Sequence, residues 1–172
     1  GGGNDIINGG VAADSINGDG GNDTIHFSDA EGDSVDGGSG IDRLELDDMT
    51  LDFDAVAASQ LDGIEILNLD TGGVARSITL DSGDVLEFGA TTGVTVDPDG
   101  VGGLGVLAVN LVIQGDLADS VTLDGAGGES DWTAGVTGVS LAGYAGTYDI
   151  YYAADMTVVA IEAAITSVTI SN

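Results

Sequence analysis

The chain contains no cysteine and no lysine, and one each of proline, histidine and tryptophan in 172 residues. Without cysteine there is no disulfide scaffold, and the omission is common in exported bacterial proteins. Without lysine, Arg43 and Arg76 are the only cationic side chains against 30 acids, for a net charge of −28. That balance excludes ordinary nucleic-acid binding, where phosphates need cations opposite them, and docking on an anionic membrane surface. The longest apolar run, LGVLAVNLVI at 104–113, is too short to span a bilayer. No signal peptide is in view, and the opening Gly-Gly-Gly without methionine leads us to expect a piece of a longer protein.

What is abundant is glycine, at 30 residues, beside aspartate. An acidic excess of this size often means disorder. Here 42% of residues are hydrophobic and the mean hydropathy is +0.24, so the chain can bury a core. Its charge requires help from a multivalent cation or from high salt.

A repeat organises the first quarter of the sequence. An aspartate is followed two residues later by a branched aliphatic at Asp5/Ile7, Asp14/Ile16, Asp23/Ile25, Asp33/Val35 and Asp42/Leu44. The aspartates are spaced nine, nine, ten and nine residues apart, and glycines precede each of them. GGSGIDRLE (37–45) fits G-G-x-G-x-D-x-U-x, with U a large apolar residue, at every fixed position. The pattern has a physical reading. A loop that turns its carbonyls inward needs positive φ, which glycine adopts cheaply. Calcium takes about six to eight oxygens, from carboxylates and backbone carbonyls. The x-U-x that follows is a short strand whose central side chain points opposite to its neighbours. Each nonapeptide is thus half a coil, and two make one turn.

Loops on one edge therefore recur every second repeat. Asp5, Asp23 and Asp42 are expected along one edge, and Asp14 and Asp33 along the other. Ions are expected between Asp5 and Asp23, between Asp23 and Asp42, and between Asp14 and Asp33, with glycine loops at Gly3, Gly9, Gly18, Gly21, Gly37 and Gly40 completing the sites. Ile7, Ile16, Ile25, Val35 and Leu44 should fill the interior. Ala12 and Asp19 stand where the pattern has glycine. The fourth repeat, FSDAEGDSVD (27–36), carries an extra residue and one glycine before Asp33, so its loop is irregular and Asp29 or Glu31 is a substitute oxygen donor.

These nonapeptides resemble the RTX repeat family, the calcium-binding β-roll of bacterial type I secreted proteins. The resemblance implies an all-β, right-handed parallel β-roll or β-solenoid over residues 1–48, with Ca2+ in its loops. The order GIDRLEL, LDGIEILNLD, SITLDSGDVLEF, LVIQGDLADSVTLDG and SVTI is similar to the C-terminal end of large RTX adhesins. There, an uncleaved C-terminal segment is read by the inner-membrane type I secretion transporter and the repeats fold outside the cell. By that resemblance, 49–172 is a β-rich extension and C-terminal cap with the secretion signal. The whole would be a calcium-dependent folding and secretion module, not an enzyme, on a secreted or surface protein of a Gram-negative bacterium, with the rest of an adhesin upstream. Two other readings stand beside it: the tail of a secreted protease or lipase, and a carbohydrate-binding module using the aromatics of the C-terminal region.

After Asp48 the sequence reads as strands at 49–54, 63–70, 76–80, 93–97, 106–113 and 120–123. A short helix capped by Asp54 is expected over 54–61, and one helical turn in DSGDVLEF (81–88). Several stretches imitate other chemistry. GDSV (32–35) lies inside a repeat. GVGGLG (100–105) satisfies a nucleotide-binding spacing but has no helix after it. His26 sits at an outward repeat position. DPDG (97–100) reads as an acidic turn. Trp132, Tyr144, Tyr148, Tyr151 and Tyr152 are expected to close the end of the fold as core.

Overall fold

The computed structural model describes residues 1–27, 32–47, 50–56, 60–70, 72–89, 92–125 and 131–172. Among them the protein is all-β. The longest sheet runs Ile6–Asn8 (β1), Thr24–Phe27 (β3), Arg43–Leu46 (β5), Ile66–Asn68 (β8), Leu111–Gln114 (β12) and Val158–Glu162 (β16), all in parallel register. Two antiparallel strands, Tyr148–Ala153 (β15) and Trp132–Ala134 (β14), finish it. A second set faces it. Ser15–Asn17 (β2), Ser34–Asp36 (β4) and Leu61–Asp62 (β7) form one parallel sheet. Thr50–Asp52 (β6), Ser77–Leu80 (β9), Ser120–Asp124 (β13) and Ser167–Ser171 (β17) form another.

The pairing follows from the period of two along each strand. Ile7 lies beside Ile25, Ile25 beside Leu44, and Leu44 beside Leu67. Ile16 lies beside Val35, and Val35 beside Leu61. Ile16, Ile25, Val35 and Leu44 are buried in one apolar cluster that continues through Ile78, Leu111, Val121, Val159 and Ile165, with Ile7 packed at its margin. Each fully buried aliphatic side chain is worth about 1.5–3 kcal/mol, so the thin interior supplies the main apolar drive. Beyond Leu44 the turns lengthen. Residues 92–109 and 135–147 leave the stack and cover the outer face of the long sheet. There Ile66, Val112, Ala160 and Ile150 pack under Val109, Leu141 and Tyr148.

Several elements differ from the sequence expectation. The run 106–113 is two strands, not one. Leu107–Ala108 (β11) pairs with Thr95–Val96 (β10) in a hairpin, while β12 enters the long sheet. Asn110 breaks the run: its Oδ1 accepts the Val158 N–H at 2.9 Å and its own N–H donates to the Val158 carbonyl at 2.9 Å. In place of a helix capped by Asp54 there is a 3-10 turn at Phe53–Ala55, with Asp52 as its cap; residues 57–59 of that stretch lie outside the described residues. Of the strand expected at 49–54, residue 49 lies outside the described residues and Thr50–Asp52 forms β6; the strand expected at 63–70 shortens to β8. The turn expected in 81–88 is a helix, Ser82–Glu87 (α1), closed by reciprocal Asp81 and Asp84 bonds. Trp132 and Tyr148 are buried, whereas Tyr144, Tyr151 and Tyr152 are half-buried. Asn172 ties down the end of the chain, accepting from the Trp132 N–H and donating to its carbonyl.

The glycine loops are stacked at backbone contact distance. A methyl carbon at Gly40, where φ is +147°, would collide with the Gly21 carbonyl oxygen, and one at Gly21 with that of Gly3. At Gly102, φ is also positive but the space is open. Gly40→Ala is therefore expected to cost about 2 kcal/mol or more, from left-handed strain plus collision, and Gly102→Ala about 1 kcal/mol. Urea melts of the two variants in the same buffer check the difference.

Candidate metal centre

The aspartates of alternate repeats stand one above another because the strands that follow them are paired in register. On one edge the Asp23 Oδ1 accepts the Asp5 backbone N–H at 2.7 Å, and the Asp42 Oδ1 accepts that of Asp23 at 2.7 Å. On the other edge the Asp33 Oδ1 accepts the Asp14 N–H at 3.0 Å. The five aspartates thus divide three and two between the edges, and each lower carboxylate reaches up to the coil above.

Burial distinguishes them. Asp23, Asp33 and Asp42 are at most 2% exposed, while Asp5 and Asp14 lie closer to solvent. Among the described residues, the second oxygens of Asp23 and Asp42 are buried with no hydrogen-bond partner. Those oxygens sit over glycines. A side chain at Gly18 would meet Asp23 Oδ2 and the Gly37 carbonyl oxygen, and one at Gly37 would meet Asp42 Oδ2 and the Gly63 carbonyl oxygen. Gly9 stands in the same relation to Asp14. Carboxylate and carbonyl oxygens therefore converge in a space kept free of side chains. An unpaired buried carboxylate oxygen is costly, and two stacked carboxylates repel. Burial, ahead of the charge of Asp23, pushes the Asp42 carboxyl above its ordinary range. Hard oxygen donors, orphaned charge and a glycine-lined space together fit a hard divalent cation.

The two non-glycine substitutions keep the loop geometry. Ala12 has φ of +89° and Asp19 of +67°, so the backbone holds the left-handed conformation there without glycine. Asp29 and Glu31 lie outside the described residues. The other imitations resolve into ordinary surface. Ser34 is exposed, and His26 Nδ1 lies 3.6 Å from Asp47 Oδ1. Asp97 and Asp99 accept N–H bonds from Val101, Gly102 and Leu104 within the β10–β11 loop, which also holds GVGGLG.

Two features went unread in the sequence. Glu65 continues the first edge: its Oε2 accepts the Asp42 N–H at 2.7 Å, and burial first, then the charge of Asp42, raises its carboxyl to about 7. The signal was present as Glu65-x-Leu67, an acid two residues before a buried aliphatic, but a longer loop hid its register. Asp54, Asp81 and Asp84 bring carboxylate oxygens within 4.8 Å of one another, a triad that could hold a metal ion of unspecified type. Burial ahead of its neighbours' charges raises Asp84 to about 7. Asp119 offers a contrast on the same principle. Its Oδ1 accepts from Arg76 N–H and its Oδ2 from Asp116 N–H, so both oxygens are satisfied by protein.

No family model, curated protein or solved structure matches this chain.

Two outcomes are expected. Asp42→Asn keeps an acceptor for the Asp23 N–H but removes charge; it should raise the residual β signal in chelator and shrink the further signal gained on adding calcium, as read by circular dichroism in both buffers. Glu65 and Asp84 hold protons in the folded state up to about pH 7, whereas unfolded carboxyls lose them near pH 4. The folded chain binds more protons across that window, so the β signal in chelator should fall as pH rises from about 4 to about 7. A β signal that rises over this interval would contradict the assignment.

Proposed function

We propose that this chain is a calcium-dependent folding and secretion module, built as a parallel β-roll or solenoid, from a larger type I secreted protein of adhesin type. The observation that carries the reading is the buried Asp23–Asp42 ladder, whose second carboxylate oxygens lack any protein partner among the described residues. The parallel register of β1, β3 and β5, and of β2 and β4, supports the coil.

Asp5, Asp23 and Asp42 on one edge, and Asp14 and Asp33 on the other, would hold Ca2+ with carbonyl oxygens of the glycine loops. Bound calcium would supply positive charge between stacked carboxylates. The rest of the mechanism is the chain's own. At low free calcium the aspartates repel and the glycines favour the open chain, which leaves the segment able to thread a transporter. Outside the cell, where extracellular calcium modules bind with Kd on the order of 10⁻⁴–10⁻³ M, neutralised loops let the apolar interior close. A coil that forms only on the far side opposes back-sliding. The upstream adhesin and the Gram-negative cell surface follow from the sequence resemblance.

Circular dichroism of the chain in chelator should show little β signal, and millimolar calcium should restore it, with bound calcium found by metal analysis. Equal β signal in both buffers would remove the proposal.

A further inference from the structure

A cleft of about 560 Å³ opens on the outer face of the long sheet, where the covering layer ends. Its floor carries Thr24, Arg43 and Ile66, side by side on β3, β5 and β8. Asn22 and the 142–145 loop, with Tyr144, also line it.

Arg43 is the anomaly. In a chain with 30 acids it has no ion pair and no side-chain hydrogen bond among the described residues. The other cation, Arg76, is buried and donates to the Leu69 and Val74 carbonyls at 3.0 Å each. The row neighbours of Arg43 are uncharged. Asp23, the acid in the cleft lining, has its Oδ1 bonded to the Asp5 N–H and its Oδ2 over Gly18.

Two amide side chains of the cleft lining, Asn22 and Gln114, are held by bonds that leave one function of each to the cleft. Asn22 Oδ1 accepts from the Ile41 N–H at 3.1 Å, which leaves its amide nitrogen as a donor. Gln114 donates to the Tyr148 hydroxyl at 2.9 Å, which leaves its carbonyl oxygen as an acceptor. The Tyr144 hydroxyl is buried, turned away from solvent. Ile41, Ile66 and Ala142 add apolar surface. A free guanidinium, one amide donor, one amide acceptor and apolar wall in an open cleft suit a ligand with a carboxylate, hydroxyls and a C–H face.

We propose that this cleft binds a carboxylate-bearing sugar unit, with Arg43 on the carboxylate and Asn22 and Gln114 on ring hydroxyls. The net charge of −28 repels anions at long range, but screening over about 8 Å at physiological salt leaves the short-range contact to Arg43 in control.

Saturation-transfer NMR on the full chain in millimolar calcium tests this, with methyl β-glucuronoside, methyl β-glucoside and acetate as probes. The glucuronoside should bind about tenfold more tightly than either other probe. Arg43→Gln should lower its affinity to that of the glucoside with an unchanged dichroism spectrum. Ala142→Phe, which fills the cleft and leaves the cation, should abolish binding. Absence of a glucuronoside signal, equal binding of all three probes, or undiminished binding by Arg43→Gln overturns the proposal. The two proposals fail separately. A calcium-folded chain that ignores the glucuronoside loses only the cleft. A chain indifferent to calcium that still binds the glucuronoside loses only the calcium reading.

Discussion

Buried negative charge governs this molecule. Stacking parallel strands in register places Asp23 beneath Asp5 and Asp42 beneath Asp23, and the carboxylates cannot be moved apart without breaking the register. One oxygen of each is satisfied by the N–H of the coil above. The other is buried and has no partner among the described residues. Interior residues such as Ile25 and Leu44 provide the drive to close, against the cost of burying this charge.

The same motif persists further along the chain with both oxygens partnered. Asp119 lies two residues before a buried valine, as the repeat aspartates lie before their aliphatics, and it too accepts a backbone N–H from the neighbouring coil. Its second oxygen is answered by Asp116. Glu65 lies between these cases, reaching Asp42 with a longer side chain and a carboxyl raised by burial. The chain thus passes from carboxylates with an unpartnered buried oxygen, at Asp23 and Asp42, to one at Asp119 whose two oxygens both accept N–H bonds. The outer apolar layer and the Asn172–Trp132 lock close that end.

The glycines serve the same constraint from the backbone side. They are required where coil meets coil, as at Gly21 and Gly40, and where a carboxylate oxygen occupies the space of a Cβ, as at Gly18 and Gly37. Ala12 and Asp19 show that positive φ alone does not demand glycine; close approach does.

The division of the aspartates between two edges, the strand after each of them and the inward aliphatics are all local periodicities, so they were legible from the spacing of Asp5 to Leu44. The placement of Glu65, the gathering of Asp54 with Asp81 and Asp84, and the cleft around Arg43 were not. Each joins residues brought together by loops of unequal length, and loop length leaves no periodic trace. The break at Asn110 also escaped the sequence, because an asparagine within an apolar run becomes a strand end only when Val158 is there to bond it. Sequence by itself determined which side chains face in and which carry charge, since that depends on a period of two and a period of nine. Tertiary structure alone decided which charges are left without partners, because that depends on what the returning chain lays against them.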